Sequence, residues 1–300
     1  MQAEDDFNPV AGLCEWLDTD IRRVLAPNPS PMTFRGTNTY LLGRGTVAVI
    51  DPGPAEPTHI DAILAALEPG EQVSHILVTH SHRDHSLGVP MLKAATGAPV
   101  YAFGDSRAGL RAELAVLTDL GGGEGVDADF APDQCLADGD VVDVGALPVR
   151  AIWTPGHMGN HMCFVSGDRI FTGDHVMGWA TSMVSPPDGS VTDFMVSLDR
   201  LGAQDARVFY PAHGAPVADP AGRIAHLRTH RQTRERQILL ALQGAEATPA
   251  ELAAQIYTDL APNLLPAATR NVLAHLLDLT ARNLTSCEGS PGLHSQFRLE

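Results

Sequence analysis

The segment THSHRDHSLG, residues 79–88, places His80, His82, Asp84 and His85 within six consecutive positions. It continues the apolar run HILV, which indicates a buried strand. Alternate side chains share one face of an extended segment, so His80 and His82 should point the same way, with Asp84 and His85 where the next helix begins. Zinc is typically held by four His, Cys or carboxylate ligands. We therefore interpret the segment as two adjacent, incomplete metal half-sites.

Three other residues are candidates for the missing ligands because each lies in a short turn after an apolar strand. They are His157 in TPGHMGNH, Asp174 in FTGDH and His213 in YPAHG. Histidine and carboxylate complete such sites, and one carboxylate can bridge two metals. The inferred ligands are His80, His82 and His157 for metal one and Asp84, His85 and His213 for metal two, with Asp174 between them.

The motifs HSHRDH, TPGH, TGDH and PAHG, in this order over roughly residues 30–220, resemble the metallo-β-lactamase superfamily of binuclear metallohydrolases. The resemblance implies an α/β fold, an αββα sandwich with the metals at one edge between its two sheets. The family's ligand assignment agrees with the one above. Asp51 in IDPG resembles the family's aspartate that braces the metal-binding loop; an ordinary Asp-Pro-Gly turn is the alternative.

The apolar pattern also predicts how the elements are arranged. Residues 39–103 indicate a hairpin followed by a β-α-β-α-β order, and residues 141–172 indicate short strands in succession. Consecutive strands without helices between them exclude a doubly wound sheet. A further helix is predicted over Ser106–Leu120, before the glycine-rich stretch GGGEG.

The chain changes character near Pro220, and we predict a hydrolase domain over residues 1–220 and a second domain over residues 221–300. The second helix of the latter opens with Thr248 and Glu251, the two partners of a capping box. The predicted helices span Arg223–Leu242, Thr248–Leu260 and Ala267–Asn283. With the tail TSCEGSPG as a wing, this region resembles the winged-helix-like module of the lactamase-β-like-2 branch.

Composition excludes several classes of protein. No apolar run approaches the roughly 20 residues of a membrane span, and the acidic N-terminal sequence lacks the features of a secretory signal, so a cytoplasmic protein without membrane contact is expected. The four cysteines are widely spaced, against a disulfide framework or a thiolate metal site. The formal net charge is −16. This charge discourages nonspecific binding to nucleic acids.

Two metals about 3.5–4 Å apart can share a hydroxide and deliver it at neutral pH, which predicts hydrolysis. Asp84 would ligate metal two and orient the hydroxide. A metal-bound water or His161 would protonate the leaving group; for His161 a hydrogen-bonded core histidine is the alternative. Five imidazoles and two carboxylates suit two zinc ions best, with iron or manganese as alternatives.

The substrate stays open at this level. The favoured hypothesis is a small acyl ester, thioester or lactone. The branch resemblance implies an endoribonuclease on single-stranded RNA, but an acidic chain with 5% aromatic residues is poorly suited to a nucleic-acid groove. An iron-dependent oxidoreductase and a non-enzymatic nucleic-acid-binding regulator are further alternatives, and a homodimer is possible. Specificity should come from loops at residues 28–37, 105–135 and 177–190.

Overall fold

The first sheet contains the strand that leads into the histidine-rich segment at residues 79–88. The structure, a computed structural model, describes residues 7–117, 120, 123 and 125–300. In these residues the sheet has seven strands in sequence order, antiparallel from β1 to β4 and parallel from β4 to β7. The strands are β1 (Cys14–Asp18), β2 (Ile21–Leu25), β3 (Asn38–Arg44), β4 (Thr46–Ile50), β5 (Gln72–Leu77), β6 (Val100–Ala102) and β7 (Gln134–Cys135).

The second sheet carries the other three ligand motifs. Its described strands lie in the order β12-β11-β10-β9-β8, all antiparallel except the parallel pair β11 and β12. The strands of that pair are joined by a crossover connection that contains the helix α5 (Val191–Gly202). The strands are β8 (Val141–Val144), β9 (Leu147–Trp153), β10 (Met162–Ser166), β11 (Arg169–Gly173) and β12 (Val208–Pro211).

The two sheets pack face to face and each is covered by helices on its outer side. Tyr40 and Leu42 of β3 point into the inter-sheet core, whereas Leu41 between them packs against α1 (Pro57–Ala65) and α3 (Val89–Thr96). Strands buried on both faces read as continuous apolar runs, which is why their alternation is hidden in the sequence. The helices are α1 (Pro57–Ala65), α2 (Arg83–Ser86), α3 (Val89–Thr96), α4 (Ala112–Ala115) and α5 (Val191–Gly202).

The C-terminal region forms the predicted helices and wing. Thr248 and Glu251 make the expected capping box. The wing is an antiparallel pair, β13 (Thr285–Cys287) and β14 (Phe297–Leu299), with Phe297 fully buried. The helices are α6 (Pro220–Ala241), α7 (Pro249–Ile256) and α8 (Leu265–Ala281). No helix in the described ranges is long and apolar enough to cross a membrane.

The helix predicted over Ser106–Leu120 is wrong. Helical residues in the described part of this segment are confined to α4, a single turn. Gly109 adopts φ +73°, and a Cβ there would lie 2.2 Å from the carbonyl oxygen of Gly159. The chain therefore turns at Gly109 to fit against the loop that carries His157. Residues 118, 119, 121, 122 and 124 of this region lie outside the described part.

Candidate metal centre

The four ligand motifs meet at one edge of the sandwich. The segment after β5 supplies His80 and His82, and α2 supplies Asp84 and His85. The other three ligands each follow a strand of the second sheet. These are His157 after β9, Asp174 after β11 and His213 after β12. Because all these strands end at the same edge, seven side chains from four separate segments of the chain face one another.

The first half-site contains His80, His82, His157 and Asp174, whose candidate ligand atoms lie within 4.8 Å of one another. His82 Nδ1 is 2.9 Å from His80 Nε2 and 3.0 Å from His157 Nε2. Asp174 Oδ2 is 3.6 Å from His157 Nε2. Atoms that share a zinc ion at about 2.0–2.2 Å lie at comparable separations. This group could therefore hold one metal.

The second half-site contains Asp84, His85 and His213. Asp84 Oδ2 is 3.2 Å from both His85 Nε2 and His213 Nε2. Asp174 reaches this group too, because its Oδ1 is 3.2 Å from His213 Nε2 and its Oδ2 is 3.7 Å from His85 Nε2. The structure thus brings together all seven ligands inferred from the sequence, with Asp174 between the two half-sites.

Hydrogen bonds behind the site fix the tautomers of the imidazoles. His157 Nδ1 donates to the carbonyl oxygen of Met183 (2.7 Å), and His213 Nδ1 donates to that of Gly36 (3.1 Å). Because a carbonyl can only accept, both rings carry their proton on Nδ1 and present Nε2 to the site. Such outer partners orient metal ligands and raise their basicity.

Asp51 braces two further ligands. His85 Nδ1 donates to Asp51 Oδ2 (3.0 Å), and Thr79 donates its backbone N–H and its hydroxyl to the same carboxylate, each at 2.8 Å. With its own proton on Asp51, Thr79 Oγ1 accepts from His80 Nδ1 at 3.0 Å. Asp51 itself adopts φ +52°. The contacts are those of a bracing aspartate and not merely of a turn.

Comparison with known proteins agrees with this geometry. The family description "Metallo-beta-lactamase superfamily" matches residues 32–213. The lactamase-like protein adaB of Aspergillus niger is 35% identical over 240 residues, covering 78% of this chain and 67% of that protein. The chain belongs to the metallo-beta-lactamase superfamily. Another relative is the atrochrysone carboxyl ACP thioesterase of Aspergillus fumigatus, 34% identical over 238 residues, covering 77% of this chain and 67% of the relative.

The second region matches as well. The "Beta-lactamase associated winged helix domain" covers residues 248–292. A metallo-beta-lactamase family protein of Thermus thermophilus superposes with a TM-score of 0.76 at 25% identity, over 95% of this chain and all of that one. A beta-lactamase domain protein of Burkholderia ambifaria gives 0.81 at 21% identity, covering 100% and 99% of the two chains. The chain is a metallo-beta-lactamase-like hydrolase with a winged-helix module.

The two half-sites of this superfamily member differ in protonation. Burial lowers the pKa of the first half-site's imidazoles, and that of His82 falls to about 3. Burial also acts against the charged form of His213, but the carboxylates of Asp174 and Asp84 outweigh it and raise its pKa to about 10. The pKa of His85 is raised well above its usual range in the same way.

The superfamily's metal edge opens into a cavity of about 370 Å³. Its floor includes His82, Asp84, His157, Asp174 and His213. Apart from Arg270 of α8, its described walls come from the three loops expected from the sequence. The wall residues are Pro31, Met32 and Thr33, then Gly123, Gly125 and Val126, then Met177, Trp179, Ala180, Thr181, Met183, Ser185 and Asp188. The walls are therefore largely apolar above a polar floor.

His161 lies behind the floor and is not among the residues that line the cavity. It is fully buried, its Nδ1 is 2.9 Å from Thr154 Oγ1, and its ring centroid is 5.1 Å from that of His80. A Cβ on Gly173 would come within 2.6 Å of His161 Nε2, so Gly173 makes room for this ring. The structure does not place His161 where it touches a substrate.

Sequence reasoning missed one residue of the cavity wall. Arg270 of α8, in the C-terminal region, lines the cavity beside the loop at 177–190. It lies in the helical pattern RNVLAHLLDL, in which a single arginine is ordinary. No local signal could have connected it with a site some 80 residues earlier in the chain.

Proposed function

We propose that the chain is a binuclear zinc-dependent hydrolase that cleaves the thioester of a small acyl substrate. The observation that carries this proposal is the pair of half-sites joined by Asp174 at the floor of an apolar-walled cavity. The arrangement offers polar chemistry at one end of the cavity and room for an acyl group at the other.

The donor set fits two zinc ions. Five imidazoles and two carboxylates are the ligands zinc prefers, without the all-oxygen environment that suits magnesium or calcium. His85 Nε2 and Asp174 Oδ1 are buried and make no hydrogen bond of normal geometry among the described residues, although they lie 3.2 Å from Asp84 Oδ2 and His213 Nε2 respectively. Such atoms are costly to bury unpaired, and coordination would satisfy both. When bound, paired zinc ions polarise a substrate oxygen and lower the pKa of water to about 7.

The chain's own side chains orient the attack. Asp84 is the more accessible carboxylate, with 26% of its side chain exposed, and its Oδ2 accepts from Thr37 Oγ1 at 3.1 Å. We assign Asp84 the role of holding a proton of the attacking water, so that an oxygen lone pair faces the substrate. Asp174 keeps the two half-sites at a fixed separation.

The leaving group favours a thioester over an oxygen ester. A released thiol has a pKa near 8.5 and departs as thiolate without a proton donor. An alkoxide needs a general acid, and His161, the only side chain proposed from the sequence for that role, lies behind the cavity floor. The names of relatives such as the atrochrysone carboxyl ACP thioesterase of Aspergillus fumigatus point the same way.

The walls favour an aromatic or branched acyl group. Trp179 is stacked on Phe34, with ring centroids 4.8 Å apart and planes 13° from parallel. Phe34 is held at φ +56°, a costly conformation for a bulky side chain. Met177 and Met183 complete this wall with flexible, polarisable side chains. We expect benzoyl thioesters to be cleaved faster than acetyl thioesters.

The test is a substrate panel with zinc-loaded protein. Benzoyl and acetyl thioesters of N-acetylcysteamine would be compared with the matching oxygen esters, a lactone, a bis-aryl phosphodiester and a single-stranded RNA oligonucleotide. Thiol release would be measured against a blank, because Cys14 and Cys135 are exposed. Faster cleavage of the thioesters supports the proposal. Cleavage of the RNA with inert thioesters would replace it with the endoribonuclease hypothesis.

A further inference from the structure

The loop at residues 177–190 is held from outside by the C-terminal helices. Arg223 of α6 donates to the backbone carbonyls of Met177 and Ala180. Three other side chains, Arg231 of α6 and Arg270 and Asn271 of α8, contact the same loop. Two helices of the winged-helix region therefore position one wall of the cavity.

Asn271 and Arg231 grip the loop on both sides of Met183. Asn271 Oδ1 accepts from the backbone N–H of Val184 at 3.0 Å and from Arg231 Nη1 at 3.1 Å. Arg231 Nη2 donates to the carbonyl of Ser182, and its guanidinium lies 4.8 Å from the ring centroid of Phe194. Arg231 is only 4% exposed. A buried guanidinium tolerates few arrangements, because each lost partner leaves desolvated charge.

The loop residues that these two side chains hold in place also contact the candidate metal ligands. The carbonyl of Met183, between Ser182 and Val184, accepts from His157 Nδ1 at 2.7 Å. Ser182 Oγ donates to the backbone carbonyl of Asp174 at 2.5 Å. Both ligands belong to the first half-site. A contiguous path therefore runs from α8 through Asn271, Val184 and Met183 to His157.

Arg270 secures the far end of the same loop. Its guanidinium donates to Ser185 Oγ and to the carbonyl of Pro186, and also to the carbonyl of Leu120 in the loop opposite. It thereby ties two walls of the cavity together. Asn271 and Arg231 act closer to the metal centre. They hold the amide of Val184 and the carbonyl of Ser182, and Met183 between them accepts from the candidate ligand His157.

We propose that Asn271 and Arg231 are positioning residues for the first half-site, so that the winged-helix region is a structural part of the metal centre. They fix the carbonyl of Met183, and that carbonyl fixes the ring of His157 in the orientation that presents Nε2. The inference rests on the proposed metal centre but not on the thioester, so failure of the substrate panel leaves it standing.

The test uses two variants of Asn271 of similar size, one that loses the acceptor oxygen and one that keeps it. Asn271→Leu has a similar shape without an acceptor, whereas Asn271→Asp retains the acceptor for Val184 and Arg231. Zinc affinity would be measured on the full chain by competition with a chromophoric chelator. We expect Asn271→Leu to weaken one of the two zinc sites by about 10–100-fold, the range for partners of metal ligands. Asn271→Asp should bind zinc as the wild type does.

Two controls separate positioning from general loss of stability. Arg228→Met changes a half-buried arginine on α6, the helix of Arg231, that pairs with Asp199 and makes no hydrogen bond or ion pair with the described loop at residues 177–190, and it should leave zinc affinity unchanged. The second control is the effect of Asn271→Leu in a His157→Ala background. If Asn271 acts through His157, the substitution should cost no further zinc affinity there.

Hydrogen exchange tests the contact between Asn271 and Val184 directly. The amide of Val184 should exchange faster in Asn271→Leu but not in Asn271→Asp, while peptides from β10 keep their protection. If Asn271→Leu fails to fold, Asn271→Gln, which displaces the acceptor by one methylene, is measured in the same way. Wild-type zinc affinity in the non-accepting or displaced variant, or equal losses in Asn271→Leu and Asn271→Asp, would overturn the proposal.

Discussion

The two half-sites share Asp174, but the pKa values of their imidazoles are shifted in opposite directions. The first surrounds its metal position with imidazoles whose pKa is lowered by burial, so they are neutral near pH 7. In the second, burial also disfavours charge, but neighbouring carboxylates raise the pKa of His85 and His213. The first is therefore ready for a metal, while the second must release protons to take one. The same edge of the sandwich thus holds two sites whose metal affinities depend differently on pH.

The largest expected effect comes from removing what the half-sites share. Asp174→Ala deletes a ligand of both, so we expect zinc content to fall below one per chain and kcat/KM to fall by at least about 10³-fold. Plasma emission spectrometry and a thioester assay measure the two quantities. As a matched change, Asp84→Ala affects only the second half-site and should leave one zinc per chain with similar loss of turnover. Two zincs in Asp174→Ala would show that this carboxylate is not shared.

Acidification should separate the half-sites. Below its pKa of about 10, His213 must lose a proton to bind metal, so the affinity of the second half-site falls as pH falls. His82, with a pKa of about 3, stays unprotonated at mildly acidic pH. After dialysis at about pH 5.5 we therefore expect one zinc per chain.

Two ligand variants identify which half-site keeps its zinc at that pH. His157→Ala should lose its remaining metal on acidification, whereas His213→Ala should keep one zinc at both pH values. Simultaneous loss of both metals from the wild type would contradict the electrostatic difference between the half-sites.

Asp51 tests whether both half-sites depend on one brace. It accepts from His85 directly and supports His80 through Thr79. Asn is the suitable replacement because it tolerates the positive φ at this position. Asp51→Asn should weaken both zinc sites by about 10–100-fold. Thr79→Val provides the comparison, since it removes the link to His80 alone. Loss confined to one site in Asp51→Asn would mean that the brace is not shared.

The smallest expected effect concerns the second half-site alone. Thr37 Oγ1 donates to Asp84 Oδ2. Thr37→Val keeps the shape and removes the donor, so we expect a loss of about 1.5 kcal/mol, close to tenfold, in turnover. Zinc at the first half-site should be unaffected, as judged by chelator competition. A loss as large as that of Asp84→Ala would show that Thr37 does more than orient the carboxylate.

The ligands could be predicted because each lies in a short motif at the end of an apolar strand, and strand ends meet at one sheet edge. Fold and family followed from the same motifs. His161 shows the limit of such spacing: it lies four residues after His157, yet it is buried directly before β10, with its ring against that of His80. Asn271 lies 87 residues from Val184, and only tertiary packing of α8 brings them together.

The most direct test of the account is activity against zinc content in one titration. Metal-free protein would receive zinc in steps up to three equivalents per chain, with benzoyl thioester hydrolysis measured after each. We expect little hydrolysis after the first equivalent and full activity at two, because the shared Asp174 makes the half-sites one centre. Full activity at one equivalent, or activation by iron with consumption of oxygen, would contradict the account.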